Sequence, residues 1–474
     1  MEPLDLIRRR AFLARSAGGL GSIALGSLGG TVAAGSAAAS PATWPGVIQA
    51  CHVPPKARRV IWLYMAGGMS HLDTFDHKPK LAAMNGQPMP ESFTKGQQIA
   101  QLQGKPLNCA GSAYAFRRVG RSGQEISEVF PEISARIADR IAIVRSLHTE
   151  AINHDPAHTF MNTGAMVAGR PAAGSWLWYG LGSDAEDLPG FVVMVSTGRF
   201  GQTQPIASRQ WHSGLLPSRF QGVEFRSRGD AVHYVRPPAG VTLGGQRAVI
   251  DAVSRLDGLR NEAIDDPEIA ARLAQFELAF KMQTSVPELL DLSDETPETL
   301  ALYGTQGGDG SFAANCLLAR RLAERGVRFI QLYHRDWDHH DDVRTHVKGT
   351  AAEVDRGAAA LVEDLARRGM LDDTLVVFGT EFGRTPMAQG QGRDHHMKAF
   401  SIWLAGGGIK PGITYGATDE LGYGVVENPV TVHDLHATLL HLMGIDHLRL
   451  TIRAQGRDFR LTDVAGNVLH DVIG

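Results

Sequence analysis

Six short, almost continuously apolar segments constrain the fold of this chain more than any other feature of its sequence. They are rich in β-branched and aromatic residues. Because a strand with one solvated face alternates apolar and polar residues, uninterrupted runs predict strands that are covered on both faces. The six predicted strands are Arg59–Met65, Ile141–Leu147, Phe191–Ser196, Val327–His334, Thr374–Phe382 and Ser401–Ala405.

Helical patterns are predicted between these strands. Phe312–Arg325 is followed by Gly326, and a glycine directly after a helix is a common terminator. Thr345–Arg368 carries an apolar stripe at helical spacing and is followed by Gly369. This strand–helix–strand order predicts a mostly parallel central sheet between two helical layers, which is a three-layer α/β/α sandwich.

The chain of 474 residues fits one large α/β domain after its N-terminal segment. We therefore expect a single domain over residues 40–474. Residues 199–245 are rich in Gly, Arg, Pro and Ser, and they predict an irregular insertion. Arg247–Met282 has a helical pattern and is expected to cover one side of the domain.

The N-terminal segment has the pattern of a twin-arginine signal peptide. Arg8 and Arg9 precede Phe12, and the following apolar run is too rich in glycine for a stable membrane span. Small residues end the run before Ser40, where we expect cleavage. Residues 1–39 thus predict a partnership with the twin-arginine export machinery, export of the folded chain and a periplasmic or extracellular location. No span is expected in the mature chain.

Charge and cysteine content exclude other classes of function. The chain has 47 Lys and Arg residues against 50 Asp and Glu residues, a net charge of −3, so no global basic field indicates nucleic acid or anionic membranes. The three cysteines are scattered and indicate neither a thiolate zinc site nor a disulfide framework. A bridge between Cys51 and Cys109 stays open in an oxidising compartment.

Histidines and acids are grouped just after predicted strands or in the loops beyond them. Ligands bind at the carboxyl ends of strands in open α/β sheets, and divalent metals take imidazole nitrogen and carboxylate oxygen. These groups predict a site for one or two divalent ions (zinc, manganese, iron or calcium); the alternative is that they are solvated loop residues. The candidates are His154, His158, Asp336, Asp338, His340, Glu381, His395 and His396.

Two further features are ambiguous. The loop after the first strand offers glycine amides and polar side chains to an anion, or forms an ordinary turn. Arg384 is a candidate clamp for an anionic oxygen, or part of a structural salt bridge. His433, His436 and His441 fit an amphipathic helix and are interpreted as structural. The candidate anion-binding residues of the loop are Gly67, Gly68, Ser70, His71 and Asp73.

Several long motifs follow one another in a characteristic order. They are GGMSHLDTFDHKP, INHDPAHTFMNTG, LARRLAERGVRFIQLY, DWDHH, TLVVFGTEFGRTP, GRDHH and VHDLHATLLHLMG. From about Arg59 to the C-terminus the chain resembles the bacterial family known as domain of unknown function 1501. That family is similar to the alkaline phosphatase, sulfatase and cofactor-independent phosphoglycerate mutase superfamily. The resemblance implies an alkaline-phosphatase-like fold and a metal-dependent hydrolase.

Metal ligands can be carried over from the superfamily at two places. Its Asp-x-x-x-His motif is similar to the segment from Asp336 to His340, within which Asp338 is a competing ligand. Its later histidine ligand is matched by His395 or His396.

Other positions depart from the superfamily pattern. The strand that ends in Asp-His-Gly is matched by Glu381-Phe382-Gly383, so one histidine ligand is replaced by Phe. The first-strand aspartate has no counterpart at Gly67. The positions of the nucleophile and of its arginine are matched by His154 and His158. The resemblance therefore does not support a covalent mechanism through serine, threonine or cysteine.

These observations lead to a hypothesis of a secreted metal-dependent hydrolase of phosphate or sulfate esters, with a small anionic ester as substrate. A metal-activated water would attack, and His154 or His158 would act as general acid or base. The alternative is a non-catalytic anion- or metal-binding protein on the same scaffold. A third option is a hydrolase with Ser70 or Thr159 as nucleophile. The expected ligands are Asp338, His340, Glu381 and His395, with contributions from His154, Asp336 and His396.

Overall fold

All six predicted strands lie in one central sheet of the computed structural model, which describes residues 44–232, 237, 240–264 and 267–474. The strands are β1 Arg59–Met65, β2 Phe116–Val119, β3 Gln124–Ser127, β4 Ile141–Leu147, β5 Phe191–Ser196, β6 Val223–Phe225, β7 Phe329–His334, β8 Thr374–Gly379, β9 Gly383–Gln389, β10 Gly392–His396, β11 Phe400–Ala405, β12 Thr414–Tyr415, β13 Ala417–Thr418, β14 Val425–Glu427, β15 Ile452–Ala454 and β16 Arg457–Phe459. The helices are α1 Pro79–Ala83, α2 Glu91–Thr94, α3 Pro131–Arg136, α4 His154–Thr163, α5 Ala173–Leu181, α6 Leu243–Ile264, α7 Pro267–Leu290, α8 Pro297–Tyr303, α9 Phe312–Glu324, α10 Val343–Arg367 and α11 Val432–Leu442. The predicted signal peptide, residues 1–39, lies outside the described residues.

The central sheet is mostly parallel. Across the described residues its order is β12–β4–β11–β8–β1–β7–β5–β6. β11 runs antiparallel to β4 and β8, and the other neighbouring pairs are parallel. The parallel arrangement directs the carboxyl ends of β1, β7 and β8 to the same edge.

Helices cover both faces of the sheet. Side chains alternate between the two faces of a strand, so Ile61 and Leu63 of β1 pack into one apolar cluster with α9 and α10. Trp62 and Tyr64 pack into another with α5 and α11. The predicted three-layer α/β/α sandwich is thereby confirmed.

Local structure differs from the prediction at the sheet edge. The predicted strand Thr374–Phe382 stops at Gly379, and its last residues enter the loop that carries Glu381. Residues expected in a loop form an antiparallel hairpin of β9 and β10. His154, also expected in a loop, begins α4, which has Pro156 in its first turn and ends at Gly164 with a left-handed φ of 68°.

Within the predicted insertion, β6 pairs with β5 and extends the sheet. The described residues from 44 onward belong to one compact unit, whereas the boundary at residue 40 stays a prediction. Cys51 and Cys109 are free thiols, the first exposed and the second buried. None of the described helices has the length and apolarity that a bilayer span requires.

Candidate metal centre

Neighbouring strands bring histidines and carboxylates together at the edge of the sheet. β1 lies between β7 and β8, and the loops after the two flanking strands carry Asp338, His340 and Glu381. The β9–β10 hairpin contributes His395, and the first residue of α4 is His154. Residues that are far apart in the sequence therefore meet in one place.

Four of these side chains form what we call the four-ligand cluster: His154, Asp338, His340 and His395. The Nε2 atoms of His340, His154 and His395 lie 3.0, 3.2 and 3.4 Å from Asp338 Oδ1. His340 Nε2 also lies 2.9 Å from His395 Nε2. A tetrahedral zinc ion with bonds of about 2.0–2.2 Å separates its ligand atoms by about 3.3–3.6 Å. The cluster is thus close to the spacing that one ion requires.

The second nitrogen of each ring is held by an oxygen outside the cluster. His154 Nδ1 donates to Glu381 Oε1 at 2.8 Å, and His395 Nδ1 donates to the carbonyl of Ile152 at 2.8 Å. His340 Nδ1 donates to the amide oxygen of Gln389. Because these oxygens accept hydrogen bonds, the neutral form of each ring would carry its hydrogen on Nδ1 and present an unprotonated Nε2 to the cluster.

This donor set fits a divalent ion. Three imidazole nitrogens and one carboxylate oxygen suit zinc, manganese or iron. Among the described residues, buried His154 Nε2 has no hydrogen-bonding partner, and burying a polar atom without a partner is costly. An ion at the centre of the cluster would satisfy that atom.

Both carboxylates of the site are held in the ionised form. Burial raises the pKa of Asp338, but the nearby side chains of the three histidines and the charge of Arg384 outweigh it and place the pKa far below its ordinary value. Burial also raises the pKa of Glu381, but the charge of His158 and the hydrogen bond from His154 lower it to about 2. An ionised carboxylate accepts hydrogen bonds or binds a cation.

Glu381 lies next to the four-ligand cluster and contacts it through His154. It accepts hydrogen bonds from Gly67 N at 3.0 Å and from the hydroxyl of Thr380 at 2.9 Å, besides the bond from His154. His158 is fully buried, with Nδ1 2.9 Å from the hydroxyl of Tyr64 and 3.6 Å from Glu381 Oε2. His154, His158 and Glu381 form a second group within reach of an ion. The role of Glu381 as a direct ligand stays a prediction.

The side chains of two predicted ligands bind other groups in this structure, so their role as ligands stays a prediction. The carboxylate of Asp336 accepts hydrogen bonds from the backbone amides of Phe200 at 2.5 Å and Gln202 at 2.8 Å, and so anchors that loop. His396 donates through Nε2 to the carbonyl of Tyr423, and burial lowers its pKa to about 3. Neither belongs to the four-ligand cluster.

Arg384 binds groups of the protein in this structure, and its predicted role as an anion clamp stays a prediction. Its guanidinium is fully buried. It donates to the carbonyls of Gly67, Gly68 (2.8 Å) and Arg393 (3.1 Å), and to Asp338 Oδ1 at 2.5 Å. With its donors engaged in this way, Arg384 orients Asp338.

The glycines of the first loop pack against the residues that carry the site, and their anion-binding role stays a prediction. The Gly67 amide donates to Glu381, and a side chain at Gly67 would clash with the backbone of Trp337 and Asp338. Gly68 has a φ of +77°, and a Cβ there would lie 2.5 Å from the ring of Phe382. Both glycines permit close packing under the cluster.

The polar side chains of the same loop bind other groups of the protein, and their anion-binding role stays a prediction. The hydroxyl of Ser70 donates to Asp73 at 2.6 Å, and Asp73 pairs with buried Arg393 at 2.7 Å. His71 Nε2 lies 3.0 Å from the carbonyl of Gly422. Thr159, the other candidate nucleophile, donates to a carbonyl of its own helix. These hydroxyls are engaged in local structure.

Sequence reasoning missed the residues that hold the ligands in place. Gln202 holds the backbone of Asp338 through two hydrogen bonds. Its Nε2 donates to the carbonyl of Asp338 at 2.9 Å, and its Oε1 accepts from the amide of Asp338 at 3.1 Å. Gln389 and the carbonyl of Ile152 hold two of the histidines. No sequence signal marks glutamines or a backbone carbonyl for such a role.

The fold and the cluster define an α/β sandwich protein with a candidate metal centre at the carboxyl ends of its parallel strands. The chain belongs to the family described as "Protein of unknown function (DUF1501)", whose model matches residues 57–473. The family indicated by the motifs is thus confirmed. No curated protein matches the chain.

Similar solved structures come from the superfamily that the motifs indicated. The PsFucS1 sulfatase from Pseudoalteromonas sp. is 10% identical over 82% of this chain and 68% of its own, with a TM-score of 0.34. A protein in the alkaline phosphatase superfamily from Vibrio parahaemolyticus is 8% identical over 84% and 68%, with a TM-score of 0.34. Alkaline phosphatase from the Antarctic bacterium TAB5 is 9% identical over 76% and 94%, with a TM-score of 0.29. Such distant similarity does not indicate an activity.

Proposed function

We propose that this protein is an exported, metal-dependent hydrolase of phosphate or sulfate esters. The observation that carries the proposal is the convergence of three imidazole Nε2 atoms on one carboxylate oxygen, at 3.0–3.4 Å. His154, Asp338, His340 and His395 would hold one divalent ion. The export part of the proposal rests on the arginine pair and the apolar run of residues 1–39.

A bound ion would lower the pKa of a coordinated water from 15.7 to about 7 and so supply hydroxide at neutral pH. The chain's own residues orient the ligands for it. Glu381 fixes the ring of His154, and Arg384 together with Gln202 fixes Asp338. Such supporting partners are worth about 10- to 100-fold in metal affinity or activity.

The position of the superfamily's nucleophile supports a mechanism through water. That position is occupied by His154, and both nitrogens of its ring are directed at carboxylates, Nε2 at Asp338 and Nδ1 at Glu381. A histidine held in this way binds a cation and has no free nitrogen with which to attack an ester. Water is therefore the nucleophile in the proposed reaction.

A non-catalytic metal-binding protein is the second candidate. Four protein ligands complete a tetrahedral shell, and closed shells are typical of structural sites. In addition, Arg384 and Arg393 donate to protein groups and are not directed at a substrate. Turnover of an ester by the metal-loaded protein distinguishes the two candidates, because only the hydrolase would show it.

The test measures metal content and hydrolysis on the full chain loaded with zinc, manganese or iron. We expect about one ion per chain and turnover on a panel of aryl phosphate and sulfate esters. His395→Ala should lose the ion and reduce turnover by more than about 100-fold, whereas the exposed His470→Ala should change neither. A metal-loaded chain without turnover would leave the binding protein as the function, and a chain that binds no metal would refute both candidates.

A further inference from the structure

The four-ligand cluster has a consequence for the proposed reaction. Three histidines and Asp338 complete the tetrahedral shell of one ion, whereas a catalytic ion keeps a position for water or substrate. If the proposed function holds, either a ligand leaves when substrate enters or the ion accepts a fifth ligand. The contacts of the four side chains differ enough to distinguish them.

Three of the ligands are held by buried groups. Asp338 contacts the fully buried guanidinium of Arg384 at 2.5 Å. His154 is bound by buried Glu381, and its side chain is 13% exposed. His395 lies on a strand, is bound by a backbone carbonyl and is 7% exposed. Each of these contacts would have to break before the ligand could leave.

His340 is held differently. It lies in the loop between β7 and α10, and its side chain is 25% exposed, more than that of the other two histidines. Its Nδ1 is bound by the side-chain amide of Gln389, which in turn donates to Gln101 in an exposed contact. A side-chain amide can follow a moving ring, whereas a backbone carbonyl cannot.

The backbone at His340 is closely packed, which leaves its side chain as the part that is able to move. Gly392 packs so closely that a Cβ there would lie 2.2 Å from the carbonyl carbon of His340. The neighbouring amide of Arg393 donates to the carbonyl of His339 at 3.0 Å. A rotation of the ring would therefore not require the backbone of the loop to move.

We propose that His340 is the exchangeable ligand of the centre. With an ion held by the cluster, an anionic phosphoryl oxygen would replace His340 Nε2 as a ligand, so that one bond to the ion would break as another forms. The neutral imidazole keeps its hydrogen on Nδ1, and its Nε2 accepts a hydrogen bond from water. No redox step or proton transfer is needed. The inference rests on the proposed function and identifies where the substrate enters.

The test uses the full chain loaded with Co²⁺ and titrated with inorganic phosphate, followed by visible absorption. In the unmodified protein we expect the bands to shift while keeping the strong intensity of four-coordinate Co²⁺. His340→Ala should bind Co²⁺ about tenfold more weakly but phosphate at least about tenfold more tightly, because phosphate no longer displaces an imidazole. His346→Ala is the matched control, with a side chain of similar exposure (21%) in the same region, and it should behave as the unmodified protein.

Gln389→Ala is a second variant that keeps the ring and removes only its partner. It should raise phosphate affinity to an intermediate value. The inference is overturned if phosphate binds equally to the unmodified protein and to His340→Ala, if the band intensity falls as a fifth ligand adds, or if His340→Ala no longer binds Co²⁺. Ester hydrolysis that persists with any of these results leaves the proposed function intact. Absence of both phosphate binding and hydrolysis in every variant would refute the two together.

Discussion

Replacement of Glu381 by glutamine tests how much the buried negative charge of this carboxylate contributes to the free energy of unfolding. The carboxylate is fully buried and accepts hydrogen bonds from His154, Thr380 and Gly67. Its pKa is lowered from 4.5 to about 2, which corresponds to about 3 kcal/mol of stabilisation at neutral pH. An amide has one acceptor oxygen instead of two, and it carries no charge. We therefore expect Glu381→Gln to lower the free energy of unfolding of the metal-free protein by about 3 kcal/mol at pH 7.

The pH dependence of this loss follows from the sign of the shift. A folded-state pKa below the unfolded one gives stabilisation that is present above the unfolded pKa of about 4.5 and is lost as pH falls towards 2. The difference between the two proteins should decline from about 3 kcal/mol at pH 7 to about 2 kcal/mol at pH 3.5.

Urea denaturation across this pH range, with chelator present, measures the effect. Glu427→Gln, at an exposed position of β14, is the control and should change stability by less than about 0.5 kcal/mol at every pH. A difference below about 1 kcal/mol at pH 7, or one that is constant from pH 7 to pH 3.5, would refute the electrostatic argument.

Two further substitutions probe how the ligands are positioned. Arg384→Met removes the buried partner of Asp338 and should cost about 3–5 kcal/mol in urea denaturation, with weaker metal binding in calorimetry; an unchanged metal affinity would show that Asp338 needs no support. Gly392→Ala places a Cβ against the backbone of His340 and should cost about 1–3 kcal/mol and weaken metal binding. Gly258→Ala, in open space on α6, should be neutral or stabilising, and equal effects of the two glycine substitutions would contradict the packing argument.

The layered fold was predictable because burial leaves a direct mark on the sequence. A strand covered on both faces is apolar throughout, as in β1 and β8, and a helix that packs on one side repeats its apolar residues at helical spacing, as in α10. The ends of elements were less certain. Residues after Gly379 continue the apolar pattern because they are buried beside the site, although they leave the strand.

The composition of the site could be predicted only in part. The sequence by itself indicated that histidines and acids gather at the carboxyl ends of strands, and all members of the four-ligand cluster were among the candidates. It also offered Asp336, His396 and Arg384 for the same chemistry, and these residues bind backbone groups or support a ligand instead.

Tertiary structure decided whether His395 or His396, and whether Asp336 or Asp338, belongs to the four-ligand cluster. The reason is geometric. His395 and His396 are consecutive residues of β10, and consecutive side chains of a strand point to opposite faces. Only the position of the hairpin against the central sheet determines which face meets Asp338. The amides of the Phe200 loop likewise take Asp336 and leave Asp338 for the cluster. Residue type and spacing therefore determined the chemistry available at this edge of the sheet, and the packing of distant segments determined which residues provide it.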